Sequence, residues 1–439
     1  MNMIQNNYRW RICALLFFAT TINYLDRHIL SILAPKLQGE YGWSEIDYGY
    51  IVMAFQTAYG LGVILTGHLL DKFGNKLIFS LAISIWSLAG MAHAFASSAF
   101  SFGIARFMLG LGESANFPAS IKTIAEWFPK KERAFATGLF NAGSNIGAIV
   151  SPLLVPWVAI SFGWQWAFIF TGAVGFIWLV FWLFTYQKPE KHTNLSREEL
   201  AFIHSDSEDE DEKREPWEAA ASAPKKVSWG KVIMRKEVLI ICLARMITDP
   251  VWWFLLYWLP KFLNENHGIQ LQEVGLPLIA IYLVADFGSI AGGWLSSNFL
   301  KSGMKLDEAR KLALLICAIC VVPIIFAAQT SSLWVSVALI SLAAAAHCGW
   351  MANVYTLISD VMPKNAVASV VGASTCAAIV GSIIFSNITG YVLEFTGSYL
   401  WLFVSAGFMY LIAWAIIRLG IPKIKQVSFE DKTEYAIHQ

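Results

Sequence analysis

Charge is what this chain has least of. Only 14% of its 439 residues are Asp, Glu, Lys or Arg, and they balance to a formal net charge of +1. That balance says nothing for nucleic acid and leaves a small, internally charged ligand open. Catalytic patterns are missing as well: there is no nucleophile and base at useful spacing, no metal-ligand cluster and no Gly-rich phosphate loop. These absences count against an integral enzyme. No ATP-binding domain is present, so energy would have to come from an ion gradient, and no cofactor is expected. The six Cys are scattered through apolar runs, and Cys317-x-x-Cys320 has no βαβ context, so neither a disulfide framework nor a redox motif is indicated. The first apolar stretch opens on Arg9 and Arg11, as a signal peptide would. It has no clear small-residue cleavage site and outruns an h-region, and is read as a membrane helix.

What the chain does have is apolar length. Hydrophobic residues make up 56%, including 19 Trp and 30 Phe, more than a soluble fold of this size could bury. A helix needs roughly 20 residues to cross about 30 Å of hydrocarbon. That length predicts twelve spans near 11–33, 46–69, 77–96, 101–121, 134–158, 165–186, 238–260, 275–298, 311–328, 332–358, 366–392 and 399–419. The expected fold is an all-α, multi-pass membrane protein. Basic residues gather in alternate loops, at Lys72 and Lys76, at Lys130, Lys131 and Arg133, and at Lys301, Lys305, Arg310 and Lys311. The opposite loops hold little beyond Lys36 and Lys261, so both termini are expected on the cytoplasmic side.

The chain also divides and repeats. Residues 187–237 form a polar linker whose run Ser205 to Arg214, SDSEDEDEKR, reads as too charged to pack, a solvated spacer. The expected domains are a six-helix bundle over 1–186, the linker, and a second six-helix bundle over 238–439. Phe128 to Gly138, FPKKERAFATG, is echoed by Met362 to Gly372, MPKNAVASVVG. The offset from Pro129 to Pro363 is 234, and it recurs from Gly138 to Gly372, Gly147 to Gly381 and Gly163 to Gly397. Spans four to six therefore correspond to spans ten to twelve, and His347 falls opposite Glu113. Parallel six-helix repeats joined by a long linker are the architecture of major facilitator transporters, with substrate held at mid-membrane.

Four ionisable residues interrupt the apolar runs: Asp26, Arg27, Arg106 and Glu113. A charge at the bilayer centre costs about 2.5 to 3.5 kcal/mol, so both signs kept there point to a use. Arg27 has a planar fork suited to a carboxylate. Asp26 points about 100 degrees away from it and need not pair with it. Arg106 and Glu113, two turns apart, share a helix face and present a ladder that Asp26 or Arg27 completes. A dry cavity drives a carboxylate towards its neutral form and a nearby guanidinium holds it charged, and that competition makes a proton switch. Polar and aromatic side chains that could line a sugar cavity are Tyr24, Gln56, Tyr59, Asn141, Ser144 and Asn145, with Trp253, Tyr257, His347, Trp350, Asn353 and Thr375. His347 also reads as a second proton site or as a satisfied structural histidine. Arg245 and Asp249, four apart, are expected to pair beside the kink at Pro250, and Asp286 to pair towards the cytoplasmic side.

Gly67 to Lys76, GHLLDKFGNK, resembles the signature loop of the major facilitator superfamily, and by that resemblance Gly67 lets helices approach while Asp71 and Lys72 belong to a cytoplasmic gating latch. The second half, Gly292 to Lys311, departs from the signature by lacking the Asp. Asn23 to Arg27 (NYLDR), Arg106 to Glu113 (RFMLGLGE), Glu126 to Arg133 (EWFPKKER), Trp294 to Arg310 and Trp350 to Pro363 (WMANVYTLISDVMP) resemble the anion:cation symporter family, above all bacterial hexuronate transporters. The resemblance implies proton-coupled import of a sugar acid such as glucuronate or galacturonate across a bacterial inner membrane, by a monomer in the lipid bilayer. It places proton coupling at Asp26 and Glu113, with Arg106 in the same set, and substrate contact at Tyr59 and Trp350. Symport or exchange of another organic anion, such as the aldonate galactonate, stays open, as does, more remotely, a non-transporting receptor.

Overall fold

The computed structural model describes residues 7–211 and 229–427. Among them every regular element is helical. The long rods are α1 (Tyr8–Tyr41), α2 (Glu45–Phe73), α3 (Asn75–Ala92), α4 (Ala99–Glu113), α5 (Asn116–Trp127), α6 (Lys130–Ser161) and α7 (Trp164–Thr185). After the short helices α8 (Arg197–Asp211) and α9 (Trp229–Ile233) come α10 (Lys236–His267), α11 (Gly275–Lys301), α12 (Leu306–Val321), α13 (Leu333–Val361), α14 (Lys364–Thr396) and α15 (Leu400–Gly420). Local chemistry sets the boundaries. Gly42, with φ of 65°, closes α1 in a left-handed cap, and a Ser44–Asp47 capping box opens α2. In EWFPKKER, Arg133 turns back to donate to the carbonyls of Phe128 and Ala125, both at 2.9 Å, satisfying the open end of α5.

Ten described helices are long and apolar enough to cross a membrane, and the two missing from the expected twelve are informative. In α1 the polar run Asn23, Asp26, Arg27 and His28 dilutes the hydropathy. The fourth expected span is not one helix: it stops at Glu113, turns through Ser114 and Ala115, and resumes at Asn116. The repeat survives this break. Ala99 and Leu333, Trp127 and Val361, and Lys130 and Lys364 all bound helices and all differ by 234, and Gly163 and Gly397 both take positive φ. Yet α13 runs unbroken where α4 and α5 part.

By packing, the chain forms two compact units whose bounds differ from 1–186 and 238–439. The first comprises Met1–Ala221, Trp253–Leu283 and Ile383–Ser398; the second comprises Ser222–Trp252, Val284–Ser382 and Tyr399–Gln439. Parts of α10, α11 and α14 belong to the first because they bond to its opening helices, as Lys261 does to Glu45 and Ser386 to Gln56.

Small residues set the close approaches in the first unit, as they do wherever lipid removes the hydrophobic drive between helices. A Cβ at Gly110 would lie 2.4 Å from the Phe55 carbonyl oxygen, and one at Gly112 would lie 2.7 Å from the Trp86 nitrogen, so α4 beds directly against α2 and α3. Gly67 is different. A Cβ there meets nothing within 4 Å, which corrects its expected role in helix approach; on that helix Gly62, against Ser114, and Gly49, against Ser386 and Gly390, make the close contacts.

The linker also departs from expectation. The helix α8 carries through Ser205 to Asp211, and its start is docked rather than solvated. Glu199 is fully buried. It accepts from the backbone N–H groups of Tyr8 and Arg9, both at 3.1 Å, and pairs with the Arg9 guanidinium at 3.0 Å, capping α1 from another segment. Arg9 reaches on to Glu132 at 2.9 Å, and Phe202 lies under both Arg9 and Lys131. Reading charge density alone missed that one buried carboxylate and one Phe suffice to dock a polar segment. The rest of the acidic run, 212–214, lies outside the described residues.

These contacts set a mutational contrast. Gly110→Val should destabilise the protein by about 1–3 kcal/mol or more through overpacking, read as a lower melting temperature and loss of the monodisperse peak in detergent, whereas Gly67→Ala should leave both unchanged. Equal losses from the two would overturn the packing assignment.

Candidate functional site

The glycines of α4 bring Arg106 and Glu113 inward to meet α1. Arg27 donates from Nε and Nη2 to one Glu113 oxygen, Oε2, at 3.0 and 2.8 Å. Both side chains are almost wholly enclosed, with Arg27 4% and Glu113 1% exposed. Arg106 completes the ladder in an unexpected way: its guanidinium donates to the backbone carbonyl of Arg27 at 3.4 and 3.5 Å rather than to Glu113. A second cation thus braces the peptide that carries the first. Arg27 is enclosed, not open to a wide cavity.

Aromatic rings surround the guanidinium. Tyr24, Tyr59, Phe55 and Trp253 have centroids 4.7, 5.0, 5.3 and 5.8 Å from Arg27 Cζ. A ring face attracts a cation by about 0.5 to 2 kcal/mol in a desolvated setting without offering a competing anion. Asn23, one turn earlier on α1, accepts from Arg27 Nη2 at 3.3 Å. Phe55 and Asn23 were not singled out from the sequence. Asn23 could have been found by its i, i+4 spacing from Arg27; Phe55 carries no polar signal.

Several buried polar atoms here have no hydrogen-bond partner among the described residues: Glu113 Oε1, Arg106 Nε, Asn23 Nδ2, Gln56 Nε2 and the Tyr257 hydroxyl. Such atoms are costly unless something engages them during function. Tyr257 is fully buried and stacks on Trp253 at 5.8 Å. Gln56 accepts from the Ser386 hydroxyl at 3.1 Å.

Asp26 stands apart from the Arg27 pair, as the helical angle requires. It is 2% exposed and neither oxygen has a hydrogen-bond partner among the described residues. The Thr171 hydroxyl of α7 lies nearby but donates to the carbonyls of Ala167 and Phe168 at 3.2 and 3.3 Å. The Arg27 side of the ladder is therefore completed without Asp26. His28, also missed, is buried with an unpartnered Nε2 and packs edge-on to Tyr282 at 5.3 Å.

The second unit holds its own polar cluster. Arg245 pairs with Asp249 at 2.7 Å, as the spacing predicts, and also donates to Ser374 and Thr375 at 3.1 and 2.9 Å. His347 sits in the register of Glu113 but has no charge partner. It stacks on Trp252 at 5.2 Å and bonds Tyr410 Oη at 2.6 Å, and Tyr410 in turn donates to the Thr248 carbonyl. Trp350 is fully buried, edge-on to Tyr410, and Asn353 Nδ2 is committed to the carbonyls of Gly292 and Gly349.

The remaining expected residues are less engaged. Ser144 donates at 2.6 Å to the Asn141 carbonyl of its own helix and at 3.2 Å to the Asn145 side chain, while Asn141 is exposed and Asn145 partly so. Asp286 is partly exposed and has no ion pair among the described residues, contrary to expectation: beside it Ala285 is buried and Gly288 meets α13, and neither brings a cation to it. In the latch, Asp71 pairs at 2.7 Å with Lys122 of α5. Lys72 extends over the adjacent Phe73 ring at 5.2 Å, and Lys122, not singled out from the sequence, is the cation beside Asp71. Asp71 is 80% exposed in its side chain, so water and salt screen the pair.

Comparison with known proteins places this geometry. The model of the Major Facilitator Superfamily matches residues 16–386. A hexuronate transporter of Escherichia coli (strain K12) is 32% identical over 390 residues, 89% of this chain and 88% of its own length. The probable galactarate/D-glucarate transporter GarP of the same strain is 32% identical over 431 residues, 96% of each chain. In fold the chain is similar to a bacterial homologue of the human lysosomal transporter Spinster, crystallised inward-facing and occupied, with a TM-score of 0.76 at 18% identity over 95% of this chain and 98% of that one.

Removing one member of a buried pair strands the other, at about 3–5 kcal/mol, whereas replacing both by apolar groups is often near neutral. Glu113→Ala should therefore lower the melting temperature, and Arg27→Met with Glu113→Leu should recover most of the loss. A double variant no more stable than Glu113→Ala would mean that the stranded guanidinium is not the cause.

Proposed function

The chain belongs to the Major Facilitator Superfamily, whose matched relatives are transporters and not enzymes, and from this premise we propose that it imports a hexuronate such as glucuronate or galacturonate together with protons by alternating access. The observation that carries the proposal is the Arg27–Glu113 pair, enclosed by Tyr24, Tyr59, Phe55 and Trp253. A uronate offers a carboxylate and a ring edged with hydroxyls. The carboxylate competes with Glu113 for the fork of Arg27, the rings give flat apolar contact to the sugar, and the unpartnered Gln56, Tyr257 and Asn23 atoms suit its hydroxyls.

Coupling follows from that competition. A proton on Glu113 removes the charge that holds Arg27, and the guanidinium passes to the substrate. Loss of the proton on the other side re-forms the pair and displaces the sugar. Asp26, buried without a partner, is the second proton site in this scheme. Arg106 holds the Arg27 backbone in place. Each ligand shifts the equilibrium only by favouring one state over the other. Ser144, Asn145, His347, Trp350 and Thr375 complete the proposed substrate set, and Asp71 and Lys72, with Lys122, the cytoplasmic latch. The machine is placed in a bacterial inner membrane with both termini cytoplasmic. It works as a monomer in the bilayer and needs a proton gradient but no cofactor.

A second reading keeps the machine and changes the cargo. The relative named for galactarate and D-glucarate covers the chain at least as fully as the hexuronate one, and one named for the aldonate D-galactonate covers 88% of it, which favours another sugar acid as cargo; exchange in place of symport is the variant of the same machine.

Proteoliposomes with an imposed pH gradient and labelled glucuronate, galacturonate, galactonate and galactarate separate these readings. Arg27→Ala should lose two charge-assisted bonds and with them about 100-fold or more in uptake, and Arg27→Lys should restore only part. Glu113→Gln, fixed in the neutral form, should lose gradient-driven accumulation yet keep counterflow exchange. Full accumulation by Glu113→Gln would refute the coupling role.

A further inference from the structure

Trp253, Tyr257 and Lys261 follow one another at four-residue intervals on α10 and so share one face. Trp253 lies against Arg27, and the Tyr257 ring packs 6.3 Å from Phe55. One turn beyond, Lys261 is only 1% exposed, although lysine is almost never buried unless paired. Its ammonium bonds the carboxylate of Glu45, the first residue of α2, and lies 3.5 Å from Glu265. Around this pair the contacts are dense. Glu45 N–H donates to Glu394 Oε2 of α14 at 2.8 Å, Gln38 donates to Glu45 Oε1 at 3.3 Å, and the Tyr48 hydroxyl donates to the Tyr257 carbonyl at 2.7 Å. The backbones close up as well: a Cβ on Gly390 would lie 2.9 Å from the Glu45 carbonyl oxygen.

One helix face therefore joins the enclosure of Arg27 to an ionic fastening at the end where α1 finishes and α2 begins. A buried ammonium regains through its partner much of what it loses by leaving water, so the net strength of such a pair is small and its dependence on the partner is large. These are the properties of a fastening made to open. We propose that Lys261 is a positioning residue and the pin of the outer gate: bonded to Glu45 it holds Trp253 and Tyr257 over the Arg27–Glu113 pair, and its release exposes that pair to the outside. Calling this end the outer one rests on the cytoplasmic termini proposed above.

The test reads access, not transport. Gln56, 1% exposed, lies about three turns beyond Glu45 on α2 and bonds Ser386, and Gln56→Cys, in a chain whose six native Cys are replaced, reports opening through its rate of reaction with a membrane-impermeant maleimide. In oriented proteoliposomes with reagent outside, Lys261→Met and Glu45→Gln should each speed labelling by about tenfold or more. The swapped pair Glu45→Lys with Lys261→Glu should return the rate to that of the parent, which a merely structural role would not do. Two independent single variants keep the test intact if one fails to fold. Unchanged rates, a swapped pair as fast as the single variants, or acceleration only with reagent trapped inside would each overturn the gate. No sugar acid is present, so loss of the import reading would not alter the result, and loss of the gate would leave import standing.

Discussion

The first unit is organised by the need to keep a guanidinium and a carboxylate together where there is little water to solvate either. An unpaired charge at such depth is expensive, and a permanent pair would be chemically idle. Here the two bonds from Arg27 to Glu113 fall on a single oxygen and leave the other unsatisfied. The surroundings follow from that. Rings stabilise the cation without adding an anion, Arg106 secures the backbone, and glycines on α4 carry the carboxylate close enough to reach.

The same helical register supports different chemistry in the two halves. His347 stands 234 residues beyond Glu113, yet it is tied into Trp252 and Tyr410, while Arg245 satisfies itself with Asp249, Ser374 and Thr375. One unit keeps buried atoms in want of partners around its cation. The other has almost closed its polar cluster, with Arg245 Nε and the neighbouring Asn353 Oδ1 among the exceptions. Duplication fixed the scaffold, and the chemistry then diverged at equivalent positions.

Much of this was legible in the sequence. Apolar run length located the rods, the 234 offset matched their boundaries, and charge inside those runs singled out Arg27, Arg106 and Glu113. What escaped was whatever depends on tertiary neighbours. The break at Ser114 and Ala115 also had a local signal that run length hid, Pro118, whose nitrogen cannot donate back to the Ser114 carbonyl, while the seat of Ser114 against Gly62 of another helix was not legible. Lys122 beside Asp71 was missed because it lies 51 residues away on another helix. The linker read as a spacer because its charge density hides Glu199, whose burial depends on the far end of α1.

That last contact has a mechanical side. Glu199 pins the start of α1, and Arg27 lies 19 residues further along, about 28 Å at 1.5 Å per residue. A rod held there swings more easily than it slides. A tilt of about 5 degrees about the pinned end would carry Arg27 sideways by about 2.5 Å, enough to stretch a 2.8 Å contact beyond hydrogen-bonding range. Leverage at the docked end of α1 thus governs a bond far along the rod without any change inside the helix itself.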